Sequence, residues 1–265
     1  MFDVDAPLLQ PVWDFILEFG QPAVSHFLFP AWVGLASFTL TCLYFSYKDL
    51  RRDARTKIDP TRWPSLQDMR KAAVPQLTIY VGANAISTWL IPRFVDLPTE
   101  APSLLRLGLE IIACLLISDF LIYWEHRVMH IIPFLRRRIH SVHHAYAHPF
   151  SWAGGWVHPL EDMVVIGCVL TPTLLLGVHP LSFWLFVAIW VAFLIEEHSG
   201  HDVWWSPYRW LPLSMGGGGL PHDPHHNISV TKNYGFVFAI WDQLFGTFMT
   251  IEEAQVRRDR RKRAK

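Results

Sequence analysis

Uncharged apolar runs alternate with short basic or polar connectors along most of this chain. Phe27 to Tyr47 (FLFPAWVGLASFTLTCLYFSY) is twenty-one residues without a charge, long enough to span a bilayer as a helix. It stops at Lys48-Asp49-Leu50-Arg51-Arg52, and Arg55, Lys57, Arg62, Arg70 and Lys71 follow. Pro75 to Pro92 predicts a second, poorer span with Gly82 and Asn84 inside it, and Leu107 to Trp124 a third that carries Glu110 and Asp119. Met163–Val178 and Leu181–Ile195 are shorter runs joined by His179-Pro180. They predict a helical hairpin that dips into the membrane and returns, with both ends on one side. Residues 1–26 form an amphipathic lead-in with Trp13, Phe15, Ile16 and Leu17. Beyond His198 the chain is polar, aromatic and loop-rich, Gly216–Gly219 reads as a flexible stretch, and the basic tail from Arg257 reads as disordered. The pattern predicts an all-α integral membrane protein with four to five membrane-embedded helices, including the hairpin.

Basic residues mark the cytoplasmic side of membrane proteins, so 48–71 and Arg136-Arg137-Arg138 are expected there, with the N-terminus opposite. Every histidine group except His26 and His179 then falls at or beyond the cytoplasmic ends of the spans, as a histidine-lined cap. An ionisable residue within a span is a functional candidate, but Glu110 and Asp119 can equally be interface residues at opposite ends of theirs. The expected organisation is a single membrane domain over 1–265: N-terminal transmembrane helices to 118, a histidine-rich region over 119–250 and a cytoplasmic tail over 251–265.

Composition agrees with a membrane protein: 51% hydrophobic residues, mean hydropathy +0.21, thirteen Trp and eighteen Phe. The formal net charge of zero points to no nucleic-acid partner. Cys42, Cys114 and Cys168 are scattered through apolar runs and read as small buried hydrophobes rather than disulfides. The acidic first fifteen residues do not resemble a cleavable signal peptide. The glycine run lacks the spacing and context of a dinucleotide site.

Five of the fourteen histidines lie within the nineteen residues His126–His144, as HxxxH followed by HxxHH. A second HxxHH stands at His222-Asp223-Pro224-His225-His226. Residues four apart share a helix face, so His126 and His130 can address one point, and His140, His143 and His144 another. Neutral imidazole suits iron, zinc or copper, and several buried imidazoles beside apolar runs need a shared partner. Pro221 and Pro224 leave the distal box open between a helix start and a loop.

These boxes, with His158-Pro159-Leu160-Glu161, Glu197-His198-Ser199-Gly200, Trp205-Ser206, Asn233-Tyr234-Gly235, Trp241-Asp242 and Gly246-Thr247, resemble the membrane-bound fatty acid hydroxylase / sterol desaturase superfamily over about Asp119 to Thr247. The nearest subgroups look like cholesterol 25-hydroxylase and sterol C4-methyl oxidase. The resemblance implies a non-haem di-iron centre that uses O2 to oxidise a lipid C–H bond, with electrons from NAD(P)H through a reductase or cytochrome b5. It also implies the endoplasmic reticulum, with the site facing the cytoplasm.

The resemblance maps metal ligands onto His126, His130, His140, His143, His144, His222, His225 and His226, adds His198, and suggests His158. His201 stands where the family carries Tyr or another aromatic, and is read either as an extra ligand or as a hydrogen-bonding residue. Asp119, Glu125, Glu161, Glu197 and Asp223 lie near these histidines, as orienting partners or as ordinary interface charges. No catalytic residue is expected apart from the ligands. Hydroxylase and desaturase outcomes both fit the motifs, and a non-oxygenase membrane metal-binding protein is the alternative from another class. The sequence carries no cytochrome b5 or flavin motif of its own, so electrons are expected from partner proteins.

Overall fold

The computed structural model describes residues 8–263; the start of the lead-in segment and the last two residues of the tail lie outside it. The described residues are helical and contain no strand. The elements are α1 (Gln10–Gly20), α2 (Phe29–Leu50), α3 (Leu66–Leu90), α4 (Leu104–Ile131), α5 (Pro133–Leu135), α6 (Pro159–Leu176), α7 (Pro180–Glu197), α8 (Pro207–Trp210), α9 (Gly219–Asn227), α10 (Ile240–Leu244) and α11 (Ile251–Arg263).

Local sequence sets the helix boundaries. α3 starts nine residues before Pro75 because Ser65 and Asp68 cap its first turn reciprocally: Ser65 Oγ accepts from Asp68 N, and Ser65 N donates to Asp68 Oδ2. Ser103 caps α4 through Arg106 N. The two hairpin helices begin with the same His-Pro-Leu device. His158 Nδ1 accepts from Leu160 N (3.2 Å) and His179 Nδ1 from Leu181 N (3.1 Å), with proline in the first helical position, where no N–H is needed.

Helices α2, α6 and α7 are long and apolar enough to cross a membrane. α2 packs on α7 and on α3, and α4 on α6 and α7. Buried clusters fill the seams: Phe38, Cys42 and Phe45 with Met69 and Ile195, then Cys114, Leu115 and Ile122 with Phe186 and Trp190. All three cysteines are free.

The hairpin extends the full depth of the bundle. At its turn His179 N donates to Glu110 Oε2 (3.1 Å), and the His179 ring stands 4.9 Å from that of Trp13 in α1. Glu110 also pairs with Arg106. Eighteen residues per arm reach ~27 Å, so each arm of the hairpin is long and apolar enough to cross a membrane. The other end of the bundle collects the C-terminal ends of α2, α4 and α7, the start of α6, and the histidine boxes.

Two further expectations change. The basic tail is helical to Arg263, and Arg258 reaches Asp223 at 3.1 Å. Gly216–Gly219 is buried and tightly packed, not flexible. A Cβ on Gly217 would collide with the Phe236 carbonyl, and Gly218 takes φ +106° against the Glu196 carboxylate, a conformation that favours glycine. The run lets α9 approach the end of α7 closely enough to bring the distal histidine box to His198, with the His198 and His222 rings 4.8 Å apart.

Candidate metal centre

Nine histidines from four segments converge in two groups. His126, His130, His140, His144 and His225 form one, and His143, His198, His222 and His226 the other; within each, the potential ligand atoms lie within 4.8 Å of one another. His126 and His130 share a face of α4. After Ile131 the chain turns through α5 and a wide π-helical turn, Arg136–His140, followed by a tight turn at His143–Ala145. His198 closes α7.

Each HxxHH box is divided between the groups. In the first, His140 and His144 enter one group and His143 the other. In the second, His222 and His226 pair while His225 crosses to the first group. The outer two histidines of a box share a helix face and the middle one is rotated off it. The distal box forms helix α9 with Pro224 inside it.

Hydrogen bonds on the outer side of the rings fix the tautomers. His126 Nδ1 faces the Tyr234 carbonyl (3.2 Å), His140 Nδ1 faces Glu161 Oε1 (2.6 Å), His198 Nδ1 the Leu194 carbonyl (2.8 Å) and His225 Nδ1 the Lys232 carbonyl (2.7 Å). Glu197 Oε1 lies 3.1 Å from His222 Nδ1, a close approach without hydrogen-bond geometry. The Tyr234, Leu194 and Lys232 carbonyl oxygens only accept, so Nδ1 of His126, His198 and His225 carries a hydrogen and leaves Nε2 inward as a bare lone pair. Inward Nε2 atoms approach closely: His130 to His140 at 2.8 Å, His144 to His225 at 3.2 Å, His143 to His198 at 3.2 Å, His222 to His226 at 3.0 Å. His126 Nε2 is buried with no hydrogen-bond partner. Convergent lone pairs in a buried site repel one another unless a cation lies between them, and an all-imidazole donor set suits iron, zinc or copper.

Burial first, then the neighbouring His198, holds His144 down at about 4, and burial holds His198 down at about 4. Burial also pushes His140, His143, His222, His225 and His226 well below the usual imidazole range. The rings are therefore neutral at pH 7, the form that binds metal.

His158 and His201, both candidates from sequence, fall outside the groups. His158 is the N-cap of α6, its Nδ1 occupied by Leu160 N. Fully buried His201 uses both nitrogens elsewhere, Nε2 to Asp49 Oδ1 (2.9 Å) and Nδ1 to Thr56 Oγ1 (2.9 Å).

The five carboxylates also separate. Glu161 and Glu197 face histidines of the two groups, whereas Asp223 pairs with Arg258 and Asn227. Asp119 accepts from Val237 N, Phe238 N and Trp241 Nε1, and so fastens the C-terminal loop to α4. Glu125 presents an unpartnered buried oxygen. Asp242 accepts from Tyr234 N and Gly235 N, and this pins the Tyr234 carbonyl that orients His126. Those backbone carbonyls have no signature in sequence.

A cavity of about 720 Å³ ends at these histidines. Glu125, Glu161 and Glu197 join His126, His140, His143, His198 and His222 at that end, and the rest is mostly apolar. Its wall follows α6 from Glu161 to Leu174, thirteen residues or ~20 Å of helix.

The family model for fatty acid hydroxylase matches residues 111–247. The chain is 30% identical to cholesterol 25-hydroxylase-like protein 2 of Danio rerio, over 91% of this chain and 88% of that protein. It is 31% identical to cholesterol 25-hydroxylase of Homo sapiens, over 91% of each. A very-long-chain aldehyde decarbonylase of Oryza sativa subsp. japonica is 37% identical over 52% of each. No solved structure matches.

Proposed function

We propose, for a chain that belongs to the fatty acid hydroxylase family, that it is a membrane di-iron oxygenase which hydroxylates a C–H bond of a sterol or another elongated lipid. The observation that carries this reading is the pair of histidine groups at one end of a long apolar cavity. Five histidines of the first group and four of the second would each hold one iron. When bound, the metals supply O2 activation for C–H oxidation.

The chain's own residues do the rest. Apolar side chains of α2, α6 and α7 bind the lipid and exclude water from the reacting carbon. Glu161, Glu197 and the carbonyls of Leu194, Lys232 and Tyr234 keep the rings oriented with Nε2 inward. Electrons come from NAD(P)H through a reductase or cytochrome b5. Exposed Arg136, Arg137 and Arg138, four or fewer residues from His140, offer such an acidic partner a docking edge at the metal end. The basic residues of 48–71 share that end, which supports a cytoplasmic site, and the endoplasmic reticulum is carried over from the family resemblance. Sterol is favoured by the relatives named cholesterol 25-hydroxylase.

Metal content and O2 consumption of the purified full-length protein test the reading. Two irons per chain after anaerobic loading, with O2 uptake that requires reductant, are expected. A protein that binds no iron would overturn it.

A further inference from the structure

Helix α3 carries two polar side chains, Tyr80 and Asn84, that the metal centre does not use. Tyr80 and Asn84 are four residues apart, share one face, and both line the cavity. Asp162 of α6 lines it as well, and Tyr80 Oη donates to Asp162 Oδ2 at 3.3 Å. Among the described residues this is the one hydrogen bond that joins α3 to α6. It is long for a hydroxyl on a carboxylate, which prefers roughly 2.5–2.7 Å. Asn84 makes no hydrogen bond among the described residues, although it sits half-buried between Val81 and Ile86 on a helix whose outer face is exposed and apolar.

An amide in an apolar wall costs free energy unless it finds a partner. A simple tie between α3 and α6 would need Tyr80 and Asp162 but not Asn84. Three groups of complementary character, a hydroxyl donor, a carboxylate acceptor and an amide that does both, line the same cavity. An alcohol both donates and accepts, so it can satisfy Asn84 and enter the loose Tyr80–Asp162 contact together. Asp162 adjoins Glu161, the partner of His140, and Asn84 lies one helical turn, ~6 Å, further from the metal end than Tyr80.

We propose that Tyr80, Asn84 and Asp162 form a polar subsite that takes a hydroxyl group of the lipid substrate and thereby sets which carbon reaches the histidines. This rests on the oxygenase reading for its consequence, but binding at the subsite can be measured without turnover.

Full-length protein in nanodiscs is titrated with two matched pairs of probes: cholesterol against cholest-5-ene, and hexadecanol against hexadecane. Wild type binds the hydroxyl member of at least one pair about tenfold more tightly, and Asn84→Leu and Tyr80→Phe each reduce that preference to about threefold or less. Iron content, measured in the same preparations, stays at the wild-type level in both variants. Equal binding of both members of both pairs by wild type, or an undiminished preference in the variants, overturns the proposal. Absence of iron from wild type with the preference intact counts against the oxygenase reading and leaves the subsite standing.

Discussion

His140 and Glu161 meet at 2.6 Å across the start of α6, the imidazole Nδ1 donating to Oε1, although they are twenty-one residues apart. Neither group is exposed. The contact fixes the tautomer of a ring whose Nε2 faces His130 and His144 at 2.8 and 3.1 Å.

Removing that acceptor should loosen the first histidine group specifically. Glu161→Ala is expected to weaken one of the two iron sites roughly 10- to 100-fold, and Glu161→Gln, which keeps an acceptor oxygen, less. Chelator competition on the purified variants measures this. Equal affinities in wild type and Glu161→Ala would contradict the orienting role.

The division of the boxes makes a sharper prediction. Adjacent residues His143 and His144 belong to different groups, so single alanine substitutions should damage different irons. Mössbauer spectra of 57Fe-loaded protein should lose one component in His143→Ala and the other in His144→Ala. Identical spectra from the two variants would show that the boxes are not divided in this way.

Asp49 anchors a buried assembly next to the metal centre. Its Oδ1 accepts from Lys57 Nζ at 2.6 Å and lies 2.9 Å from His201 Nε2, with Lys57 and Asp49 side chains 4% and 0% exposed. Asp49→Ala leaves a buried ammonium uncompensated, at a cost of about 3–5 kcal/mol. Thermal melts in detergent should fall accordingly. A melting temperature unchanged from wild type would contradict the burial of this pair.

Acid should destabilise the metal-free protein. His144 and His198 have folded values of about 4, below the ordinary 6.5, so protonation favours the unfolded chain. Their contribution is complete above about 6.5 and is lost as pH falls through about 4. The melting temperature of metal-free protein should hold from about pH 8 to about pH 7 and drop steeply below about pH 6. A flat profile down to about pH 4 would show that the rings are not buried and neutral.

Much of the architecture was legible because its signals are local. The uncharged run from Phe27 announces α2, and the His-Pro-Leu repeat marks the starts of α6 and α7, with His158, suggested as a ligand from sequence, capping α6 through Nδ1. The start of α3 was missed because Pro75 looks like a boundary, whereas the capping pair Ser65 and Asp68 sits a long way upstream. The histidine boxes were visible as spacing. Their division into two groups was not, because it depends on how α9 docks against α7 through a glycine run that composition alone makes look mobile. His201 is indistinguishable from a ligand in sequence, since Asp49, which claims it, lies 152 residues away.

The most direct test of the account is lipid analysis of cells expressing wild type or the His143→Ala, His144→Ala double variant under 18O2. A lipid heavier by one 18O atom, present only with wild type, is the predicted result. Iron-loaded wild type, supplied with reductase, cytochrome b5 and a sterol and fatty-acid panel, that forms no 18O-labelled product would contradict it.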